Sequence, residues 1–304
     1  MRAIRLDKPF RKTTHGSFRT RLFRVVMLAS IPWSEIAPLV LALIVGGIAT
    51  GILAGLLGVG GGGVIVPVLY EVFRVLGVAD DVRMQLCIGT SLAIIIPTSW
   101  RSYQAHKARG LVIPGLLKVW AVPAVLGVIA GSALAGVVPG EVLQGVFIAV
   151  AFLLAAKSLA GKTQWRIGEG LPGKAMMRVS GFIIGMVASM IGVAGGALAT
   201  ILLTLYGVPI HAAVATSASL GMLIPVPGVI GYAVAGWPHL GDLPPLSLGY
   251  VSVLGFLCMA PVSALAAPLG ARFAHALPRR ALEIGFGLFL LLVALRFLVA
   301  IISG

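Results

Sequence analysis

GLLGVGGGGVIVP, residues 55–67, breaks a run of Leu, Val, Ile and Ala with four consecutive glycines, Gly60 to Gly63, followed by Pro67. Each glycine costs a helix about 1 kcal/mol relative to alanine. The flanks are apolar enough to lie in lipid, where a backbone stays helical because nothing else satisfies its polar groups. The interruption also recurs. Gly58-Val-Gly-Gly-Gly62 matches Gly192-Val-Ala-Gly-Gly196 further along the chain. A breaker that appears twice, at membrane depth, is tolerated only where protein or a water-filled cavity satisfies the freed backbone groups.

The rest of the chain supports a membrane setting. Of 304 residues, 59 % are hydrophobic and 11 % charged, with a mean hydropathy of +1.06. A soluble domain carries about 25 % charged residues. Apolar runs of about 20 residues, enough to cross a bilayer, recur throughout. Short alternating strands, which would mark an outer-membrane barrel, are not seen. The reading is an all-α polytopic membrane protein.

Runs and breakers divide the chain into segments 36–58, 64–77, 84–104, 112–137 and 141–160, a polar stretch 161–178, then 179–193, 197–208, 212–235, 246–274 and 280–301. The second segment of each set falls short of a full crossing and reads as a half-helix or re-entrant piece. Two further matches accompany the glycine breaks. Gly89-Thr90-Ser91-Leu92 pairs with Ala215-Thr216-Ser217-Ala218. Pro139 and its helix ending at Lys157 pair with Pro278 and its helix ending at Arg296. The expected organisation is a basic tail (1–35), a first membrane repeat (36–160), a polar linker (161–178) and a second repeat (179–304). Each homologous repeat holds four to five hydrophobic segments, broken at the glycines. Duplicated transporters place substrate near the midplane, at interrupted helices in corresponding places of the two halves.

The formal net charge is +14, and eight of the 23 basic residues lie within the first 24 positions. Beside a membrane domain, such a tail reads as cytoplasmic, by the positive-inside rule and by attraction to anionic lipid. No nucleic acid is implied; an Arg-rich transit peptide is the alternative. Two orientations stay open. If 36–77 makes one net crossing, each half has four crossings, the repeats are parallel, and the tail, His106-Lys107-Ala-Arg109 and the linker all face the cytoplasm. Arg279-Arg280 conflicts with that scheme. If 64–77 crosses fully, each half has five crossings, the repeats are inverted, and the linker falls on the other side from the tail.

Gly58, Gly60 and Gly63 fit a dinucleotide fingerprint, but no strand–helix unit surrounds them. Close packing through small residues explains single glycines better than four in a row. An unwound turn whose N–H groups face an anion, helped by the positive end of the next helix, explains both breaks. Thr90, Ser91, Thr216 and Ser217 either bond back to their own helix or line the site as neutral donors. Arg83 and Cys87 share a helix face at i, i+4. Arg101 ends the third segment, and His211 aligns with Gln85. Intramembrane ionisable groups are functional candidates, though Arg near a segment end also snorkels to the interface. Lys118, Lys157 and Arg296 rank lower; Glu71 and Glu283 are open as proton carriers. Cys87 and Cys258 suggest neither a disulfide nor a zinc site. No catalytic constellation, metal cluster or cofactor motif is seen, so an enzyme is not expected.

Gly55 to Pro67, the later Thr90-Ser91, and the second copy Ile191 to Gly196 followed by Tyr206-Gly-Val-Pro-Ile-His-Ala-Ala-Val-Ala-Thr-Ser217 resemble the TauE/SafE family of sulfite exporters over roughly residues 36 to 301. The resemblance implies a secondary transporter of small sulfur-containing anions, such as sulfite, thiosulfate or organosulfonates, in the bacterial inner membrane. Carried over residue by residue, it marks Gly58, Gly60, Gly61, Gly62, Gly192, Gly195 and Gly196, with Thr90, Ser91, Thr216 and Ser217. Ala194 and Ala197 depart from the first copy's Gly60 and Gly63, which implies a tighter second break. Expected partners are the anion and the lipid bilayer. Protons are open as coupling ion and a homodimer as assembly. A passive anion channel, or a scaffold binding a partner through the basic tail, are the rival functions.

Overall fold

The computed structural model describes residues 33–57, 62–108, 112–161, 167–168, 170–276 and 278–303. Residues 1–40 form one unit, containing the start of the first helix, and residues 41–304 another; the arrangement below is that of the second. Among the described residues the regular elements are helices, apart from one isolated bridge between Ser247 and Ser252. They are α1 (Trp33–Leu57), α2 (Gly62–Val75), α3 (Asp80–Ala108), α4 (Pro114–Ala135), α5 (Gly140–Ala160), α6 (Lys174–Ile191), α7 (Gly196–Leu205), α8 (Ile210–Leu223), α9 (Pro225–Ala235), α10 (Val253–Ala276) and α11 (Arg279–Ser303), with a 3-10 turn at Trp237–His239. Among the described residues seven stretches are long and apolar enough to cross a membrane: those in α3, α4, α5, α6, α8 with α9, α10 and α11.

Two departures from the expected segments have local causes. The run 212–235 divides after Ile224, because Pro225 and Pro227 remove two N–H donors from an otherwise continuous helical backbone. The run 246–274 does not start as helix. Residues 247–252 form a small hairpin, with Leu248 N donating to Val251 O at 2.8 Å, and α10 begins only at Val253.

The turns after α2 and α7 close alike. Gly77 N donates to Arg74 O (3.0 Å) and Val78 N to Phe73 O (3.0 Å); Gly207 N donates to Thr204 O (3.1 Å) and Val208 N to Leu203 O (3.1 Å). Both follow the Schellman pattern, which satisfies the last carbonyls of a helix.

Close approaches fix the helix directions. Trp120 and Ala124 of α4 lie against Gly181 and Gly185 of α6 in the same order, so the two run parallel. Gly47 and Gly51 of α1 meet Met259 and Ser263 of α10, again parallel. Glycine lets these backbones touch, the usual device for joining helices in lipid. α5 and α11 run antiparallel: Leu159 packs on Gly287, while Phe147 meets Phe297 edge-on at 5.1 Å. α2 ends beside the start of α5, where Gln144 Nε2 donates to the Tyr70 hydroxyl at 3.2 Å. α7 ends beside the end of α5, where Lys157 Nζ donates to Thr204 Oγ1 at 3.1 Å. Elements in the same place of the order, α2 and α7 or α5 and α11, therefore run in opposite directions. Opposed directions are what the inverted alternative expects, but α2 has 14 residues and is not among the stretches long enough to span, so it does not make the full crossing that this alternative assumed. Leu41, near the start of α1, and the connection between α5 and α6 open on opposite faces.

The largest helix contact joins α4 to α6 and the next joins α5 to α11. The core beneath α4 and α6 collects Leu116, Trp120, Val128, Ile184, Leu203 and Leu220. Trp120 is fully buried and its indole N–H donates to Ser180 Oγ at 3.3 Å.

Candidate functional site

The second glycine break is wholly described. Gly192 ends α6 at φ +69°, with its N–H on Ala188 O, and Gly195 opens α7 at φ +72°. Both angles lie in the left-handed region that costs other residues about 1–2 kcal/mol. The chain thus leaves one helix and re-enters another within Gly192 to Gly195, and the first-turn N–H groups of α7 have no intrahelical partner. In the first break Gly58, Gly60 and Gly61 lie outside the described residues. Gly62, the first residue of α2, is described, and it meets the second break directly. A Cβ on Gly62 would sit 2.8 Å from Val193 Cα and 2.9 Å from Gly192 O.

α2 and α7 run in opposite directions from this region, α2 toward the start of α5 and α7 toward its end. Each helix start carries about half a positive charge. Ala194, which stands where the first copy has Gly60, is buried, and its methyl lies against Gly221 of α8. Gly196 starts α7 beside the carbonyl of Ser217.

Thr90, Ser91, Thr216 and Ser217 are all buried, at 2 % exposure or less. Other mid-helix hydroxyls here bond back to their own turn: Thr98 to Ile95 O, Ser132 to Ile129 O, Ser189 to Met186 O and Thr204 to Thr200 O. The four candidates reach elsewhere. Ser91 Oγ donates to Gly192 O at 2.8 Å, tying α3 to the second break. Thr200 Oγ1 of α7 donates to Ser217 Oγ at 3.0 Å. Thr90 Oγ1 accepts from the backbone N–H of Ser252, just before α10, at 2.9 Å. Thr216 Oγ1 accepts from the backbone N–H of Ile113, just before α4, at 3.2 Å. The last two bonds mirror each other: each threonine holds the start of a helix from the other half of the chain.

Arg83 sits apart from these contacts. It is 7 % exposed. Its Nε donates to Val78 O at 3.0 Å, its Nη1 pairs with Asp80, and its guanidinium lies over the Tyr70 ring at 5.4 Å. It closes the α2–α3 turn. Arg83→Met is therefore expected to lower the thermal stability of the purified protein by about 1.5–3 kcal/mol, the worth of hydrogen bonds from a charged group, and to leave anion affinity unchanged in a binding titration.

Cys87 is fully buried one turn further along α3. His211 is exposed in the first turn of α8. The side chain of Arg101 lies outside the described residues. Glu71 is engaged by Arg74 and Arg296, and Glu283 by Arg280. Among the described residues no cluster of His, Cys, Asp or Glu could hold a metal ion. Two clefts flank Pro97. One, of about 330 Å³, lies between Ile96, Trp100, Met222 and Val226; the other, of about 280 Å³, faces Phe256 and Ala260 of α10. Neither has a hydroxyl or a charge on its wall, so neither offers an anion what the breaks offer.

Several participants were not singled out in the sequence. Ser252 accepts from Gly255 N at 3.1 Å, the capping geometry that its place before the apolar run of α10 signals. Ile113 is flagged in the same way by Pro114, since proline favours the first turn of a helix. Tyr232 donates its hydroxyl to Ser189 O at 3.0 Å, and no sequence pattern announces that bond. Tyr250 faces His239 Nδ1 at 3.1 Å. Burial, and then the Asp242 carboxylate, push its phenol above the ordinary value, so this connection adds no negative charge from the phenol.

A family model described as Sulfite exporter TauE/SafE matches residues 43–297. The chain is 31 % identical over 257 residues to a Haemophilus influenzae protein named "Probable membrane transporter protein"; the match covers 84 % of this chain and 97 % of that protein. It is 26 % identical over 226 residues to a Methanocaldococcus jannaschii protein bearing the same description, covering 72 % of this chain and 80 % of that one.

Proposed function

Because the chain belongs to the sulfite exporter TauE/SafE family and is a membrane transporter, we propose that it moves sulfite, or a related small sulfur oxyanion, out of the cell by alternating access across the bacterial inner membrane. The observation that carries this reading is the contact of Gly62 with Gly192 and Val193. There the start of α2 meets the turn that leads from α6 into the oppositely directed α7, and buried hydroxyls of α3 and α8 lie nearby. Backbone N–H groups at a helix start suit an oxyanion without a full cation. An inside-negative potential drives an anion outward with about 2.3 kcal/mol per charge per 100 mV, so export needs little coupling.

In this reading residues 36–160 and 179–304 are an inverted duplication joined by the 161–178 linker. The opposed directions of α2 and α7, the matching turns at Gly77 and Gly207, and the mirrored Thr90 and Thr216 bonds support it. Pro97 in α3 follows Thr90 by seven residues and Pro225 between α8 and α9 follows Thr216 by nine, and at each a missing hydrogen bond lets the helix bend.

The test is a proteoliposome panel of sulfite, sulfate, thiosulfate and a sulfonate, with and without a pH gradient. A carrier of this kind gives saturable sulfite flux, accelerated by anion on the opposite side. Flux rising linearly with concentration and without counterflow indicates a channel. No movement of any sulfur anion by inserted protein ends the reading. A flux that changes with the pH gradient brings in protons as the coupling ion.

A further inference from the structure

We infer that the face formed by the starts of α4, α6 and α11 and the end of α5 is the cytoplasmic one, seated against anionic lipid headgroups. Helix directions bring Lys118, Lys174, Arg178, Lys157 and Arg280 to this face, all exposed. Glu283 is the one acid beside them among the described residues, and it pairs with Arg280. The connection between α5 and α6, which leaves from this face, contributes Lys162 and Arg166 to its sequence against Glu169.

The opposite face has the reverse character. It carries Glu71, Asp80, Asp81, Glu141 and Asp242. Among the described residues its three basic side chains are each tied to an acid: Arg74 to Glu71, Arg83 to Asp80 and Arg296 to Glu71. Orientation follows Lys and Arg in short connections and near helix ends, and acids contribute little. Among the described residues the linker face thus shows five exposed basic side chains, and the opposite face holds three basic side chains, each of the three in an ion pair. The linker face complements the negative cytoplasmic leaflet.

The sequence that precedes α1 is also basic. Only Arg19, Arg21 and Arg24 fall within about 20 residues of the start of α1, the range over which the charge rule operates. The linker face outweighs them, and its charges sit at several helix ends rather than one.

The test places one cysteine on each face of the full chain, in a Cys258→Ser background that keeps the buried Cys87. Leu171→Cys reports the linker face and Gly241→Cys the other; both positions are exposed, and a side chain on Gly241 meets nothing within 4 Å. In intact spheroplasts a membrane-impermeant maleimide is expected to label Gly241→Cys and to label Leu171→Cys only after the membrane is opened. The inverse pattern, or labelling of both sites in intact spheroplasts, overturns the assignment. Adding Lys118→Glu, Lys174→Glu and Arg178→Glu is expected to make Leu171→Cys partly accessible from outside. Unchanged one-sided labelling in that variant removes these charges as the cause.

Discussion

Gly62→Ala is expected to abolish sulfite flux in proteoliposomes while the protein still inserts and elutes as a single species on gel filtration. Gly63→Ala, one residue on, is expected to transport like the parent. A methyl on Gly62 meets backbone, Val193 Cα at 2.8 Å and Gly192 O at 2.9 Å, and backbone cannot rotate away. Overpacking of a filled site costs about 1–3 kcal/mol, spread here over a fold whose described residues form eleven α-helices. Its effect falls on the spacing of the two half-helix ends rather than on folding. At Gly63 the nearest atom is Leu290 Cδ2, at 3.8 Å, which is ordinary contact. The two substitutions share chemistry and helix propensity, so a difference between them isolates the meeting of the breaks. Parent-like flux from Gly62→Ala would reduce that meeting to packing.

Why Gly62 stands out, and Gly63 does not, lies beyond what the run GGGG discloses. The sequence announces that a break exists and that it recurs, because glycine and proline act locally on the backbone. It announces the paired hydroxyls of Thr90-Ser91 and Thr216-Ser217 because their neighbours repeat. It does not announce what they touch. The partners of Thr90 and Thr216 are backbone N–H groups far away in the chain, and every residue except proline supplies one. Helix direction was equally hidden. Basic residues near 106–109 and in the linker admitted two topologies, and only close approaches such as Gly287 to Leu159 separate them. Arg83 looked like a site residue from its spacing to Cys87. Its bonds to Val78 O and Asp80 use up the guanidinium at the turn. Spacing puts two side chains on one face but does not say which of them is already engaged.

The division of labour at the centre follows from these contacts. Glycines bring the half-helix ends together, and hydroxyls hold neighbouring helix starts by single hydrogen bonds. Thr90 ties α3 to α10 and Thr216 ties α8 to α4. An inverted pair of halves exchanges its two conformations when the site turns from one side to the other. Equivalent bonds of this kind then cannot be equally strong throughout the cycle.

Thr90→Val and Thr216→Val are accordingly expected to disturb the transporter in opposite senses. Valine keeps the shape of threonine and removes the acceptor, leaving the buried Ser252 N–H or the part-buried Ile113 N–H without this partner. That penalty is about 1–3 kcal/mol, enough to move an equilibrium between two states by roughly tenfold. Weakening one tie favours the state in which that tie is open; weakening its mirror favours the other state. Thiol labelling of a cysteine placed at Ala194, beside the second break, reads the bias. Labelling by an impermeant reagent in spheroplasts should rise with one substitution and fall with the other, relative to the same cysteine alone. The double variant should return toward the starting value while flux stays low. Thr98→Val serves as the control: its hydroxyl bonds only to Ile95 O of its own helix at 2.8 Å, and losing such a bond is nearly neutral. Equal shifts in the same direction from both substitutions would mean that the two ties act as plain structural bonds, and the mirrored mechanism would have to be abandoned.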